Sequence, residues 1–240
     1  MAVVAVAAGG AASLAGCAAP PAAPSAARPA HAAAWPGAQR SPSQTVAEMR
    51  KAVQAAGSVH LSGVLRNNGK PIGLNLGLIR SGEFAGTLTQ NGIPLNLIDV
   101  GGKVYVKATA AYLRELKVPP AVCSIMCGKY VEVSSAQARS LSGSLSMSAL
   151  LSSFTGRLPQ LTNAGTTTVA GHRGQVLQGP DGSRLIVAAT GTPYPLQAVG
   201  REGNGGRPSN GTLDFSRWNA VPRPKAPPAS QVINLNKIRS

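Results

Sequence analysis

The sequence predicts an α+β domain in which helices cover one face of a large antiparallel sheet. Three observations predict this fold class. One segment with a helical apolar period comes first, segments that alternate apolar and polar residues follow between tight-turn sequences, and the alternation returns after a mixed middle region. Because strands joined by tight turns are antiparallel neighbours, we expect two meanders.

Composition limits the class of protein. A chain of 240 residues suits one domain with appendages. Hydrophobic residues make up 43% and charged residues 13%, which excludes wholesale disorder and a nucleic-acid-binding tail. The net charge of +15 comes from scattered Lys and Arg residues, without a basic run. A general cationic surface of this kind suits anionic membranes, and we expect no nucleic-acid partner.

Residues 1–16 are predicted to be a lipoprotein signal peptide. The stretch Ala2–Ala15 is mostly Ala, Val and Gly, and it is too short and too weakly apolar for a comfortable membrane span. Residues 14–17 read Leu-Ala-Gly-Cys, which resembles a lipobox and makes Cys17 the predicted carrier of palmitate-type acyl chains. Since no Lys or Arg precedes Arg28, an Ala-rich leader with a chance cysteine is the alternative.

The remaining chain divides by composition. Residues 17–42 are rich in Ala and Pro, which predicts an extended tether between a membrane and a folded domain. The folded domain is expected over residues 43–222, and a Pro-rich basic tail over residues 223–240.

The first element of the domain is a helix. The sequence Thr45-Val46-Ala47-Glu48 has the form of a capping box, and apolar residues recur from it at helical spacing as far as Gly57.

A first meander of five strands is predicted after this helix. Its turns are marked by Asn68-Gly69, Ser81-Gly82, Asn91-Gly92 and Gly101-Gly102. The predicted strands are Val59–Leu65, Ile72–Ile79, Phe84–Leu88, Ile93–Leu97 and Lys103–Lys107.

The middle of the chain is mixed, and a second meander follows it. Short helices are expected at Thr109–Lys117, Ser134–Leu141 and Ser144–Phe154, with a strand at Lys129–Val133. The strands of the second meander are predicted at Thr166–Ala170, Arg173–Gln178, Ser183–Ala189, Tyr194–Glu202 and Gly211–Arg217.

Cys123 and Cys127 form a close pair in a segment that two prolines precede. Outside the cytoplasm, a pair at this spacing favours a small disulfide loop. Free thiols and a metal or redox site remain as alternatives, although no further Cys or His is near enough in sequence to complete a zinc site.

One face of the predicted sheet is apolar and could line a cavity. Few bulky residues are available to fill it, and glycines such as Gly63, Gly73, Gly77 and Gly86 interrupt the strands, as bends or close approaches would require. An ordinary packed core is the alternative. The predicted lining residues are Leu61, Leu65, Ile72, Leu74, Leu76, Leu78, Phe84, Leu88, Leu95, Leu97, Val104 and Val106.

Enzymatic motifs are lacking in the sequence. There is no Gly-x-Ser-x-Gly elbow, His60 falls on the polar side of its strand, and His172 falls in a turn. The eight acidic residues are mostly isolated, and no phosphate-binding loop or metal motif occurs. We therefore predict a protein that is not an enzyme, with no catalytic residue, metal or cofactor.

Several short motifs occur together in a characteristic order: residues 58–63 (SVHLSG), 104–107 (VYVK), 129–133 (KYVEV), 191–196 (GTPYPL) and 215–219 (FSRWN). With the lipobox and the tether, they resemble the LppX/LprA/LprF/LprG family of actinobacterial lipid-binding lipoproteins. The resemblance covers roughly residues 43–225. It implies a curved half-barrel sheet with helices on its concave face, similar to the carriers LolA and LolB.

The same resemblance implies a function. Such a protein would hold acyl chains of glycolipids or phospholipids in an apolar cavity and carry them across the envelope. It would be a monomer that is lipid-anchored at the extracytoplasmic face of the cell membrane or also secreted, and a membrane transporter is a possible partner. A non-transporting envelope adaptor, or a sensor ectodomain that binds a protein partner or the cell wall, is the alternative function.

Overall fold

A computed structural model describes residues 40–67, 69–147, 149, 160–200 and 210–234 of the protein. In these residues twelve strands form one open sheet, in the order β12-β6-β5-β4-β3-β2-β1-β11-β10-β9-β8-β7. The strands are β1 Ser58–Asn67, β2 Lys70–Ile79, β3 Phe84–Gln90, β4 Ile93–Val100, β5 Lys103–Lys107, β6 Tyr130–Glu132, β7 Thr162–Val169, β8 His172–Gln178, β9 Arg184–Ala188, β10 Pro195–Gly200, β11 Asn210–Ser216 and β12 Val232–Asn234. The helices are α1 Pro42–Ala55, α2 Ala110–Glu115, α3 Pro120–Met126 and α4 Ser135–Ser144.

Several predicted features lie outside the described residues. They are the signal peptide 1–16, the lipidation site Cys17, most of the tether 17–42, most of the helix Ser144–Phe154 and the end of the tail.

The predicted first helix is present, but it begins earlier than the sequence suggested. Ser41, not Thr45, is the N-cap, and its Oγ accepts a hydrogen bond from the backbone N–H of Gln44 at 3.2 Å. The Gln44 side chain in turn accepts from the backbone N–H of Ser41, which completes a capping box. Pro42 occupies the first turn, where its missing N–H leaves no hydrogen bond unmade.

The two meanders join through β1 and β11. Strand β1 pairs with β2 on one side and with β11 on the other, so that Leu61 lies opposite both Leu76 and Phe215. This contact unites twelve strands in a single sheet whose neighbours are antiparallel, with one exception. Strand β12 runs parallel to β6, which the sequence did not predict.

Two glycines fit the predicted bends. Gly63 in β1 and Gly86 in β3 have φ of +145° and +148°, a conformation that disfavours any residue with a Cβ. At each position a Cβ atom would lie 2.1 Å from a backbone carbonyl oxygen of the neighbouring strand. Glycine kinks of this kind let strands curve, and both lie on the face that carries the main core.

The core lies between this face and the helices. Met49 from α1 and Phe84 from β3 are fully buried, and Ala138 from α4 joins the same cluster. The N-terminal end of α1 is fastened to strand β8. There the Thr45 hydroxyl donates to the Gln175 side-chain oxygen at 2.8 Å. Both of these polar residues are buried, so their hydrogen bond satisfies groups that water does not reach.

The chain that follows β11 packs against the sheet as a strap, residues 217–231, which starts with a turn and ends in the 3₁₀ helix Ala229–Gln231. Among its residues, Val221, Pro224 and Pro227 are half-buried while their neighbours are mostly exposed. This spacing of three is the period of a polyproline II helix, which places every third side chain on one side. Val221 lies over Gly77, where a Cβ atom would be 2.6 Å from the valine methyl carbon. The strap leads into β12, so much of the predicted tail belongs to the fold.

Candidate functional site

The predicted lining residues share one face of the sheet. The register places Leu76 opposite Leu61, and Leu97 opposite Val106, in one continuous apolar surface. Side chains alternate between the two faces of a strand, so residues two apart along each strand join the same surface. We call this surface the inner face, because α1 and α4 pack on it.

One part of the inner face is a closed floor. Its residues are at most 8% exposed and belong to one cluster with α1 and α4. This packing matches the interior of an ordinary domain. The predicted lining residues in the closed floor are Leu61, Leu76, Leu78, Phe84, Leu97, Val104 and Val106.

The other part is a half-exposed end beside the β1–β2 and β3–β4 turns. Leu65 pairs with Ile72, Leu74 pairs with Leu88, and Leu88 pairs with Leu95, so these leucines and the isoleucine are cross-strand neighbours. All five are only partly buried. We call this group the open end. It is an apolar surface that the described residues leave partly uncovered.

A buried carboxylate interrupts the apolar surface of the inner face. Asp99 lies opposite both Phe84 and Val104, and it is 3% exposed. The hydroxyl of Ser142 in α4 donates a hydrogen bond to Asp99 Oδ2 at 2.5 Å. The contact fixes α4 over the closed floor, and strand alternation alone gave no sign of it because Ser142 is remote in sequence.

The outer face carries polar side chains. His60 Nε2 lies 2.8 Å from Asn75 Oδ1, and His60 Nδ1 lies 3.3 Å from Ser216 Oγ. These three residues are partly or fully exposed on neighbouring strands. The predicted position of His60 on the polar side of its strand is therefore confirmed.

A groove of about 510 Å³ also lies on the outer face, across β7 to β11. Its apolar floor includes Val176 and Ile186, and its polar lining includes Asp214, which accepts a hydrogen bond from the Gln197 side chain at 2.7 Å. No pattern in the sequence predicts this groove. It depends on strands that are adjacent only in the folded sheet.

The sulfur atoms of Cys123 and Cys127 are bonded, with Cα atoms 4.7 Å apart. Cys123 lies in helix α3 and Cys127 is its C-cap residue, where the sequence predicted a small disulfide loop. Among the residues that the structure describes, no group of three His, Cys, Asp or Glu side chains could hold a metal ion. Nor does any helix within those residues have the length and apolarity to cross a membrane.

Comparisons with known proteins bear on the fold. No protein-family model matches the chain, and no curated protein sequence matches it. Among solved structures, LprF from Mycobacterium bovis matches with a TM-score of 0.53 at 14% identity, over 77% of this chain and 96% of LprF. The Mycobacterium tuberculosis lipoprotein LppX matches with a TM-score of 0.49 at 17% identity, over 75% of this chain and 97% of LppX.

A third similarity is weaker. The MucA–MucB complex of Pseudomonas aeruginosa matches with a TM-score of 0.34 at 16% identity, over 79% of this chain and 59% of the matched chain.

The predicted fold class is confirmed by the sheet and by the comparison with LprF. The sheet is large and not closed, and helices pack on one face, as expected for an α+β half-barrel. At 14% identity, the similarity to LprF is one of fold. The resemblance that the sequence motifs indicated therefore holds at this level: the chain adopts the α+β half-barrel fold of the mycobacterial protein LprF.

Proposed function

We propose that this protein is a lipid-anchored lipoprotein of a bacterial cell envelope, and that it binds acyl chains against the inner face of its sheet. The open end is the observation that carries the proposal. Its five side chains form an apolar surface that continues from a buried core and stays partly exposed. Soluble proteins keep such surfaces mainly where they bind something apolar.

Acyl chains suit this surface because it offers apolar contacts and no fixed polar pattern. Burial of each methylene group contributes about 0.8 kcal/mol, whatever the head group is. The ligands that we propose are therefore glycolipids or phospholipids, with their chains along the leucines of the open end. The carrier function, in which the protein moves these lipids across the envelope, is part of the proposal, as is delivery to a membrane transporter.

The proposed location follows from the N-terminal sequence. Cleavage before Cys17 would leave a cysteine that carries acyl groups, and residues 17–42 would connect this anchor to the domain. The protein would then sit at the extracytoplasmic face of the cell membrane as a monomer. Mass spectrometry of the protein from an actinobacterial host tests the anchor, because a diacylglyceryl group on Cys17 adds a defined mass.

Lipid extraction tests the proposed ligand. Residues 18–240, which contain every described element, should copurify with diacyl or triacyl lipid when they are exported in an actinobacterial host. Native mass spectrometry would count the bound lipid molecules. A folded protein that carries no lipid, and that takes up none from vesicles, would contradict the proposal.

Two neighbouring substitutions localise the ligand. Leu88 lies on the inner face at the open end, whereas Thr89 next to it points to the outer face. Leu88→Gln should weaken acyl binding by roughly five-fold or more, because an unpaired amide beside an acyl chain costs about 1–3 kcal/mol. Thr89→Gln is the matched control, and it should leave acyl binding unchanged. Displacement of a fluorescent fatty acid measures both.

A second candidate function is a non-transporting envelope adaptor, or a sensor ectodomain that binds a protein partner. The closed floor favours it, since Leu76 and Phe84 are fully buried in a packed cluster. Equal affinities of the Leu88→Gln and Thr89→Gln variants for acyl ligands would support this second candidate.

A further inference from the structure

The connection between β5 and β6 carries exposed apolar side chains. Among the described residues, the exposed large apolar side chains are Val64, Leu116 and Ile125, and two of these three belong to this connection. Leu116 ends α2 and is 54% exposed, and Ile125 in α3 is 67% exposed. We call residues 107–129 the basic tip, for the charges described below.

Helix α3 exposes one large apolar side chain, that of Ile125. Ile125 shares the exposed side of α3 with Ala121 and Ser124. Val122 and Met126 are half-buried, as are the two cysteines. None of the residues of α3 is buried. At 67% exposure, the Ile125 side chain is not needed to complete the core.

The backbone of the basic tip is also suited to an apolar environment. The amides of Leu116, Lys117 and Val118 donate to carbonyl oxygens of Tyr112, Arg114 and Leu113, respectively. The next two residues are prolines, which have no N–H group. Paired amides lower the cost of placing a backbone segment near the apolar part of a bilayer, and these three amides are paired.

The same connection carries several basic residues. The basic tip contains Lys107, Arg114, Lys117 and Lys129, with Glu115 as its one acidic residue. Arg114 and Lys117 are exposed. Lys107 and Lys129 are held near the base of the tip, since Lys107 Nζ lies 5.8 Å from the centre of the Tyr130 ring and Lys129 Nζ donates to the Ser230 carbonyl. The arrangement combines an apolar centre with cations that complement an anionic surface.

We propose that the basic tip docks the domain on an anionic lipid bilayer, with Leu116 and Ile125 in the head-group region and Arg114 and Lys117 at lipid phosphates. Each Lys or Arg near an anionic bilayer strengthens binding by about five-fold, so the cations and the apolar side chains act together. The inference deepens the proposed function, on which it rests for the location beside a membrane. It assigns the membrane partner to one surface.

Vesicle binding tests the apolar part of the tip. Residues 18–240, which lack the anchor cysteine, would be mixed with vesicles of phosphatidylcholine and phosphatidylglycerol. A flotation assay would measure the fraction of protein that binds. The double variant Leu116→Ser/Ile125→Ser should bind at least ten-fold more weakly. Val64→Ser is the matched control, because Val64 is 50% exposed but lies in β1. It should bind within two-fold of the unaltered protein.

Two matched double variants test the charged residues of the basic tip. Arg114→Gln/Lys117→Gln removes two cations of the tip and should weaken binding to phosphatidylglycerol vesicles by about thirty-fold. Arg223→Gln/Lys225→Gln removes two exposed cations of the strap and should have a much smaller effect. Circular dichroism would confirm that all variants are folded. Equal binding by the two double variants would contradict the docking surface.

A fluorescence experiment locates the surface directly. Ile125→Trp should shift its emission to shorter wavelength when vesicles are added, and Val64→Trp should not. If Ile125→Trp shows no shift while the protein binds vesicles, or if binding requires a protein partner, the docking surface is wrong.

The outcome is separable from that of the proposed function. Copurified acyl lipid, measured on the same variants, reports on the inner face, and the tip substitutions should leave it unchanged. Loss of vesicle binding with normal lipid content would support the docking surface. Vesicle binding through the tip by a protein that takes up no acyl lipid would overturn only the carrier function.

Discussion

Gly86 shows how one residue can set the course of a strand. Its φ of +148° and the nearby carbonyl of Asn75 leave no room for a Cβ atom. The sequence predicted that strand glycines mark bends or close approaches, and Gly63, Gly77 and Gly86 each meet one of these descriptions. The type of constraint at each position depends on neighbours from other elements, which a sequence does not display.

We expect Gly86→Ala to lower the free energy of unfolding by about 2 kcal/mol or more, because the alanine Cβ would meet a backbone oxygen in a disfavoured conformation. Urea denaturation followed by circular dichroism measures the change. Gly143→Ala is the control. Gly143 lies in α4, where an added methyl group would meet no atom within 4 Å, so alanine should stabilise the helix by about 0.5–1 kcal/mol.

Asp99 marks the limit of alternation as a guide to single residues. The register of β4 places it on the apolar inner face, where it is buried. The buried Asp99 carboxylate accepts a hydrogen bond from Ser142. Ser142 lies in α4, which follows two further strands in the chain. Asp99 lies beyond the predicted strand Ile93–Leu97, so the sequence predicted neither its face nor its partner.

Among the elements, the strap was the least predictable. Its prolines suggest a disordered tail, because proline neither donates to a sheet nor continues a helix. The structure instead places it against the sheet, anchored where Trp218 stacks on Tyr194 with ring centres 4.5 Å apart. A polyproline II segment leaves its backbone solvated, so only the side-chain period of three predicts a packed side.

Val221→Ser should therefore lower the free energy of unfolding by about 1 kcal/mol, since the valine is half-buried over Gly77. Arg223→Ser, two residues further along the strap, changes an exposed side chain and should have an effect below about 0.5 kcal/mol. Thermal unfolding monitored by circular dichroism compares the two. Equal effects would mean that the strap does not pack as described.

The cysteine pair of α3 should contribute little to the stability of the domain. The bond joins residues four apart, and a loop this short gives an entropic contribution of about 2 kcal/mol at most. We expect Cys123→Ser/Cys127→Ser to lower the free energy of unfolding in urea by no more than this amount. Titration with a thiol reagent should find both cysteines unreactive before reduction, and two free thiols would show that the bond does not form in solution.

At the scale of the whole molecule, charge is the property most readily obtained from sequence. The net charge of +15 is distributed over many elements, and ion pairs such as Lys103–Glu132 neutralise part of it locally. What the sequence could not supply was which apolar residues near these cations are exposed. Helices α2 and α3 pack against each other in the connection between β5 and β6, and this packing leaves Leu116 and Ile125 exposed.

Binding of residues 18–240 to phosphatidylglycerol vesicles should weaken by roughly ten-fold or more when the salt concentration rises from about 0.1 M to about 1 M. The screening length falls from about 10 Å to about 3 Å over this range, so exposed cations lose most of their attraction to the surface. Binding to vesicles of phosphatidylcholine alone should change little. A salt-independent affinity for phosphatidylglycerol would contradict an electrostatic contribution.

The strand order was only partly predictable. Consecutive hairpins followed from Asn-Gly and Gly-Gly turns, which require positive φ at the turn residues. The pairing of β1 with β11 links segments that are far apart in the chain, such as Leu61 and Phe215, and follows from no local signal. The inner face was predicted as a set, because alternation fixes it within each hairpin, but the division into closed floor and open end depends on where α1 and α4 lie.

The two edge strands of the sheet differ in length. At one margin β12 offers three residues, whereas at the other β7 offers eight, Thr162–Val169, all but the last of them exposed. A long uncharged margin is the place where another polypeptide could add by main-chain hydrogen bonds. If the β7 strands of two copies paired in antiparallel fashion, each would cover the other. Among the described strands no second long edge strand would remain, so assembly by this route would stop at a twofold dimer and would not extend into a fibre.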